Sequence, residues 1–145
     1  MGTVEENKEV VRQFIERVYN QGDTSSLDEL FTMNFVSHSL TIVPCRDGNL
    51  EQLKQFHEGL PDNWSDVSAT IEDMITEEDK ISISMTVNGT RDGKYVVTPH
   101  LSIFRIQEGK ITEMWDLYNQ LSHFQQLDFL PSTEEIVKNA TTPTN

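Results

Sequence analysis

At 145 residues the chain suits one domain better than two. Eleven Lys and Arg against 24 Asp and Glu leave a net charge of −13, which repels nucleic-acid backbones and anionic membranes. No stretch approaches the roughly 18 apolar residues of a membrane span, and the single cysteine, Cys45, excludes an intrachain disulfide.

Glu5, Glu6 and Glu9 stand where a signal peptide would carry basic residues, so the expected compartment is the cytoplasm. Val4 to Tyr19 is an amphipathic helix: Val10, Phe14 and Val18 form one row, and Val11, Ile15 and Tyr19 the next. Thr3 and Glu6 have capping-box spacing, and Gly22 lies in the turn that follows. A short helix is expected over Thr24 to Phe31, capped by Asp23 or Thr24, then a strand over Asn34 to Ser39. Ile42 to Gly48 reads as loop. Leu50, Leu53, Phe56 and Leu60 mark a third helix from Asn49, stopped by Pro61.

The period then changes from helical to alternating. Strands are expected over Asp66 to Thr76, Lys80 to Arg91, Tyr95 to Gln107 and Lys110 to Gln120. The turns between them are Glu77-Glu78-Asp79, Asp92-Gly93 and Glu108-Gly109, so the four strands form an antiparallel meander. A last helix over Leu121 to Leu130 ends at Pro131. Residues 1–131 make one domain; in the tail, 132–145, Ser132 to Lys138 has the makings of a helical turn and Asn139 to Asn145 reads as disordered. The layout is α+β: helices cover one face of a curved antiparallel sheet, and curvature leaves a cavity between them where a small ligand fits.

The stretches NKEVVRQFIERVYNQGDTSSLDELF, FVSHS and IFRIQEGKITEMWDLYNQL, spread over Asn7 to Leu121, resemble the SnoaL-like polyketide cyclase (ester cyclase) family of the nuclear transport factor 2-like superfamily. The resemblance reaches Leu130 and implies a cone-shaped fold, a homodimer through the outer sheet face, no cofactor, and a small hydrophobic ligand. In the family's polyketide cyclases an aspartate after the tryptophan of the last strand is the acid/base of an intramolecular aldol closure. Asp116 holds that position here. Two features depart from the pattern: Met114 stands where the cyclases carry a histidine, and Arg91 to Tyr95 replaces a longer loop. Both point to a more apolar pocket, suited to lipid-like or terpenoid-like ligands.

The residues themselves support a candidate site. Alternation puts Thr112, Met114, Asp116 and Tyr118 on one strand face and Ile111, Glu113, Trp115 and Leu117 on the other, unless a bulge near Trp115-Asp116 breaks it. Asp116, in an otherwise largely apolar strand, is either a general acid/base or a carboxylate at the cavity mouth paired with Arg105. His38 is either a hydrogen-bonded structural residue or a donor to a substrate oxygen. The resemblance also puts His100 and Ser102 at polar pocket positions of the cyclases, on the strand next to that of Asp116, with a solvent-facing edge histidine as the alternative for His100. Tyr19, Phe35, Phe56 and Trp64 are candidate pocket walls, with core packing as their alternative. His57 reads as surface or rim, and His123 as structural. No histidine spacing suggests a metal. Three functions fit: a cofactor-independent cyclase, isomerase or dehydratase acting on a hydrophobic carbonyl compound; a non-catalytic module binding a small ligand or a partner protein; and a hydrolase activating water, which needs a second group such as Arg105 beside Asp116.

Overall fold

The computed structural model describes residues 2–41 and 44–142. The Thr3 capping box forms as its spacing requires: Thr3 Oγ1 accepts from the Glu6 amide and Glu6 accepts from the Thr3 amide. Helix α1 (Val4–Gln13) starts there and runs on as a π-helical stretch, Phe14–Asn20. Such wider turns are uncommon and gather at functional sites. This one sets both Phe14 and Tyr19 against a cavity. Gly22 takes a positive φ of 69° in the turn beyond it.

A 3₁₀ turn (Thr24–Ser26) leads into α2 (Leu27–Leu30), and Phe31 already belongs to strand β1 (Phe31–Ser39). The second helix is therefore shorter, and the strand longer, than the sequence suggested. Asp23 does not cap the turn; its carboxylate is taken by Ser25 and Arg17. Ile42 and Val43 of the expected loop lie outside the described residues. Pro44 and Cys45 are irregular as expected, but Arg46–Asn49 forms a short strand, β2, antiparallel to β1. Its polar residues carry no alternating apolar signal. Helix α3 (Leu50–Asn63) is capped by Asn49 with Gln52 and passes through Pro61. Proline in the last turn forfeits one backbone bond, and the next one, from the Trp64 amide to the Leu60 carbonyl, closes the helix.

The meander forms as predicted: β3 (Ser65–Glu77), β4 (Lys80–Arg91), β5 (Lys94–Gln107) and β6 (Lys110–Tyr118). At Asp92-Gly93 and Glu108-Gly109 both residues have positive φ, the geometry of two-residue hairpin turns. The sheet order is β2-β1-β6-β5-β4-β3, with β1 parallel to β6 and all other pairs antiparallel. Helix α4 (Gln120–Gln126) lies against β5, where β6 has run out. There the Gln126 side chain bonds both the amide and the carbonyl of Val97. Helix α5 (Thr133–Thr141) carries Asn139 to Thr141 in helical form, capped by Ser132, where disorder was expected. The core joins Val11, Phe14, Ile15 and Val18 of the first helix to Phe31, Ile81, Ile83, Phe104 and Ile111 of the sheet.

Ile111 exposes a register detail. It is fully buried, yet strict alternation pairs it with the outward Glu113 and Trp115. The β5–β6 pairing steps from Arg105↔Glu113 to Ile106↔Ile111, so Thr112 is a bulge residue. The parity break is at Thr112, four residues before Asp116, and it turns Ile111 back into the core.

Candidate active site

The concave face of the sheet, α3, α4 and the π-helical stretch enclose a cavity of about 400 Å³, within the range of small-molecule sites. Its walls are mainly apolar, with Leu53, Leu60, Val67, Met85, Val87 and Phe104 among them. A few polar groups interrupt this lining, and they converge at the β5–β6 ladder.

Asp116 faces Ser102 directly across that ladder, and His100 faces Tyr118. Ser102, only 3% exposed, donates its hydroxyl to Asp116 Oδ1 at 2.8 Å. His100 Nδ1 lies 3.6 Å from the same oxygen, too far for a hydrogen bond, and has no partner of its own. The His100 ring stacks on Tyr118 at 5.3 Å. Tyr118 Oη accepts from Gln120 Nε2 at 3.0 Å, which leaves its own proton available. Burial pushes the Tyr19 phenol up from its ordinary value, and the Asp116 carboxylate adds to the effect. Tyr19 is therefore neutral and within electrostatic reach of Asp116. Met114, Phe56 and Trp64 also line the cavity.

His38 and Phe35 sit elsewhere. His38 borders the cavity, but both ring nitrogens are engaged, with Asp47 and Glu113, each at 2.7 Å. The ring stacks on Trp115 at 5.2 Å. Glu113 and Trp115 alternate with Met114 and Asp116, so this group belongs to the outer face. Glu113 in turn holds Arg105, which also binds Asp79, both at 3.1 Å. The Glu113 contact, with a smaller contribution from Asp47, raises the His38 pKa against the opposing effect of burial. Arg105 therefore does not pair with Asp116. Phe35 is buried in the core, edge-on to Phe31 at 4.8 Å, and is not part of the cavity lining.

Two histidines outside the expected site, His57 read as surface or rim and His123 read as structural, line the cavity. His123 Nδ1 lies 3.0 Å from Thr98 Oγ1, and burial lowers its pKa, with the Arg91 charge a smaller cause. His57 is not at the surface: it is 4% exposed, and burial pushes its pKa down to about 4. The signal for it was present. His57 falls four residues after Leu53 and three before Leu60, on the apolar stripe of α3. Phe56, assigned to that stripe, is instead 57% exposed at the rim.

The model of the SnoaL-like polyketide cyclase family matches residues 9–127. The chain belongs to this family. No curated protein matches the chain. Solved structures do. A Bacillus cereus protein assigned as a polyketide cyclase shares 26% identity and a TM-score of 0.76, over 86% of this chain and 82% of that one. AclR of Streptomyces galilaeus, assigned as a hydroxylase, has a TM-score of 0.81 at 20% identity, over 97% of this chain and 96% of its own. An LEH-like epoxide hydrolase of M. tuberculosis has a TM-score of 0.71 at 13% identity, over 94% and 96%. At such identities the last two establish the nuclear transport factor 2-like fold alone. The three assignments differ, so the shared fold does not settle the reaction.

Proposed function

We propose that the protein is a cofactor-independent enzyme acting on a small hydrophobic carbonyl compound, by cyclase, isomerase or dehydratase chemistry, with Asp116 as acid/base. The observation that carries this reading is convergence. Inside an apolar cavity, Ser102 fixes one oxygen of Asp116 at 2.8 Å, and His100 approaches that oxygen at 3.6 Å. A binding site for an apolar ligand has no need of a held carboxylate with two polar neighbours.

In the proposed step Asp116 takes a proton from the carbon beside the substrate carbonyl. The electron pair of that C–H bond moves toward the carbonyl oxygen, forming an enolate. His100 or Tyr118 donates a hydrogen bond to that oxygen. The proton on Asp116 then goes to another carbon in an isomerisation, to a departing hydroxyl in a dehydration, or to the new alkoxide when the enolate carbon closes a ring. His38, with both nitrogens engaged on the outer face, has no part in this step. Water activation beside Asp116 loses its second group, because Arg105 is bound by Asp79 and Glu113.

The test is proton exchange with a hydrophobic ketone such as 2-tetralone in deuterated buffer, followed by proton NMR. The enzyme reading expects deuterium at the carbon beside the carbonyl faster than in buffer alone. Binding of the ketone with no acceleration would favour the non-catalytic module. We also propose a cytoplasmic homodimer joined through the outer sheet face, on the strength of the half-exposed row Val97, Leu101, Ile103 and Leu117.

A further inference from the structure

Among the described residues, four buried side-chain nitrogen or oxygen atoms have no hydrogen-bond partner, and three of them belong to His57 and His100. Both histidines line the same cavity. The unpaired His100 nitrogen is accounted for by its place beside Asp116. His57 is not: the step proposed above makes no use of it.

Three aromatic rings surround the His57 imidazole, all nearly perpendicular to it: Tyr19 at 4.9 Å, Phe56 at 5.1 Å and Phe14 at 5.9 Å. No charged group touches it, and burial alone keeps it neutral. A neutral imidazole has one N–H to donate and one bare nitrogen to accept. Leaving both unpaired is costly, and hydrophobic residues fill comparable positions at no such cost. Two of the covering rings are fixed in the fold, Phe14 within the core and Tyr19 between His57 and Asp116. Phe56 is the exception, since it stands 57% exposed at the cavity rim. Rotamer changes of exposed side chains are fast, so Phe56 is the one ring of the three free to adjust to a ligand.

We propose that His57 is a second polar anchor of the substrate site, one that pairs with a neutral hydroxyl or carbonyl oxygen of the ligand. The ligand class is then a hydrophobic compound oxygenated at two places. One oxygen lies at the Asp116–His100 pole and the other across Tyr19 at His57. The inference rests on the reading of Asp116 and His100 as the reacting pole, and it adds a specificity determinant at the opposite end.

Calorimetric titration of the whole protein with naphthalene, 2-naphthol and 2,6-dihydroxynaphthalene separates the two poles. The wild type is expected to bind the diol about tenfold more tightly than 2-naphthol, the gain of one well-made hydrogen bond. In His57→Leu the two should bind within twofold, while 2-naphthol keeps its advantage over naphthalene through the Asp116 pole. His57→Gln, which restores a donor and an acceptor, should recover part of the diol's advantage and guards against a folding defect in the leucine variant. If the diol's tenfold gain survives in His57→Leu, His57 is a core histidine in an aromatic box and the proposal falls, with the Asp116 pole untouched. If 2-naphthol gains over naphthalene in the wild type and loses that gain in His57→Leu, the His57 anchor stands and the Asp116 pole fails. If none of the three binds, the cavity is no ligand site and both readings fall.

Discussion

His57 makes a sharp prediction about stability and pH. Its ordinary pKa of 6.5 falls to about 4 in the folded chain, because burial penalises the imidazolium. The unfolded chain therefore takes up a proton, as pH drops, that the folded chain refuses. Stability attached to this residue is complete above pH 6.5 and drains away as pH falls toward 4. Linkage between the two values gives a loss of about 1 kcal/mol by pH 5.5 and roughly 3 kcal/mol below pH 4. Urea denaturation of the wild type and His57→Leu at pH 7.5 and 5.5 isolates this contribution, since carboxylates common to both cancel in the double difference. The upper range also keeps the acidic chain away from its isoelectric point. The wild type should lose about 1 kcal/mol more than the variant over this interval. At pH 7.5 the variant should be the more stable, by up to ~1 kcal/mol, because it no longer buries two unpaired nitrogens. Equal pH dependence in the two proteins would refute the burial of His57 and the pocket geometry built around it.

Three further outcomes are expected. Ile111→Ala should cost about 2–5 kcal/mol in urea denaturation, as for a fully buried aliphatic side chain; a cost below ~1 kcal/mol would place Ile111 on the outer face and remove the bulge at Thr112. Glu113 raises the His38 pKa, so the stability from this pair is present below pH 6.5 and is lost as pH rises through the folded value. Glu113→Gln should reduce that loss, worth less than ~1 kcal/mol for a partly exposed pair, to the smaller part that Asp47 supplies, in denaturation curves from pH 6 to 9. Leu101→Asp, on the proposed outer-face interface, should shift sedimentation from dimer to monomer; an unchanged dimer would move the interface elsewhere.

Much of this architecture follows from short-range chemistry that a sequence displays directly. The Thr3–Glu6 box, the Asp92-Gly93 and Glu108-Gly109 turns and the alternation of β4 each depend on residues a few positions apart. Ser102 was placed near Asp116 by the family resemblance and not by the turn: the hairpin's own register, Gln107↔Lys110 and Ile106↔Ile111, would set Ser102 opposite Trp115, and the extra residue Thr112 brings Asp116 there instead. What escaped depends on tertiary context. Strand β2 is four mostly exposed, mostly polar residues held by β1, with no apolar pattern to announce it. The bulge at Thr112 changes which face Ile111 joins, and nothing local distinguishes Thr112 from its neighbours. Alternation put Phe35 and His38 on opposite faces of β1 but did not say which face looks inward, and the parallel β1–β6 pairing that decides it shifts register between Phe31 and Val36. For His57 the helical spacing pointed inward, and the polarity of the side chain argued outward. Packing against three aromatic rings decided it.

The central claim is that Asp116 moves the proton. The direct measurement is the rate of deuterium exchange into 2-tetralone by Asp116→Asn, which is nearly isosteric, compared with wild type at saturating ketone. Because a positioned acid/base contributes typically 10²–10⁴-fold, the variant should lose at least about 100-fold in kcat with KM little changed. Exchange retained to within a few-fold would contradict the account and leave Asp116 as a carboxylate held by Ser102 without a catalytic part.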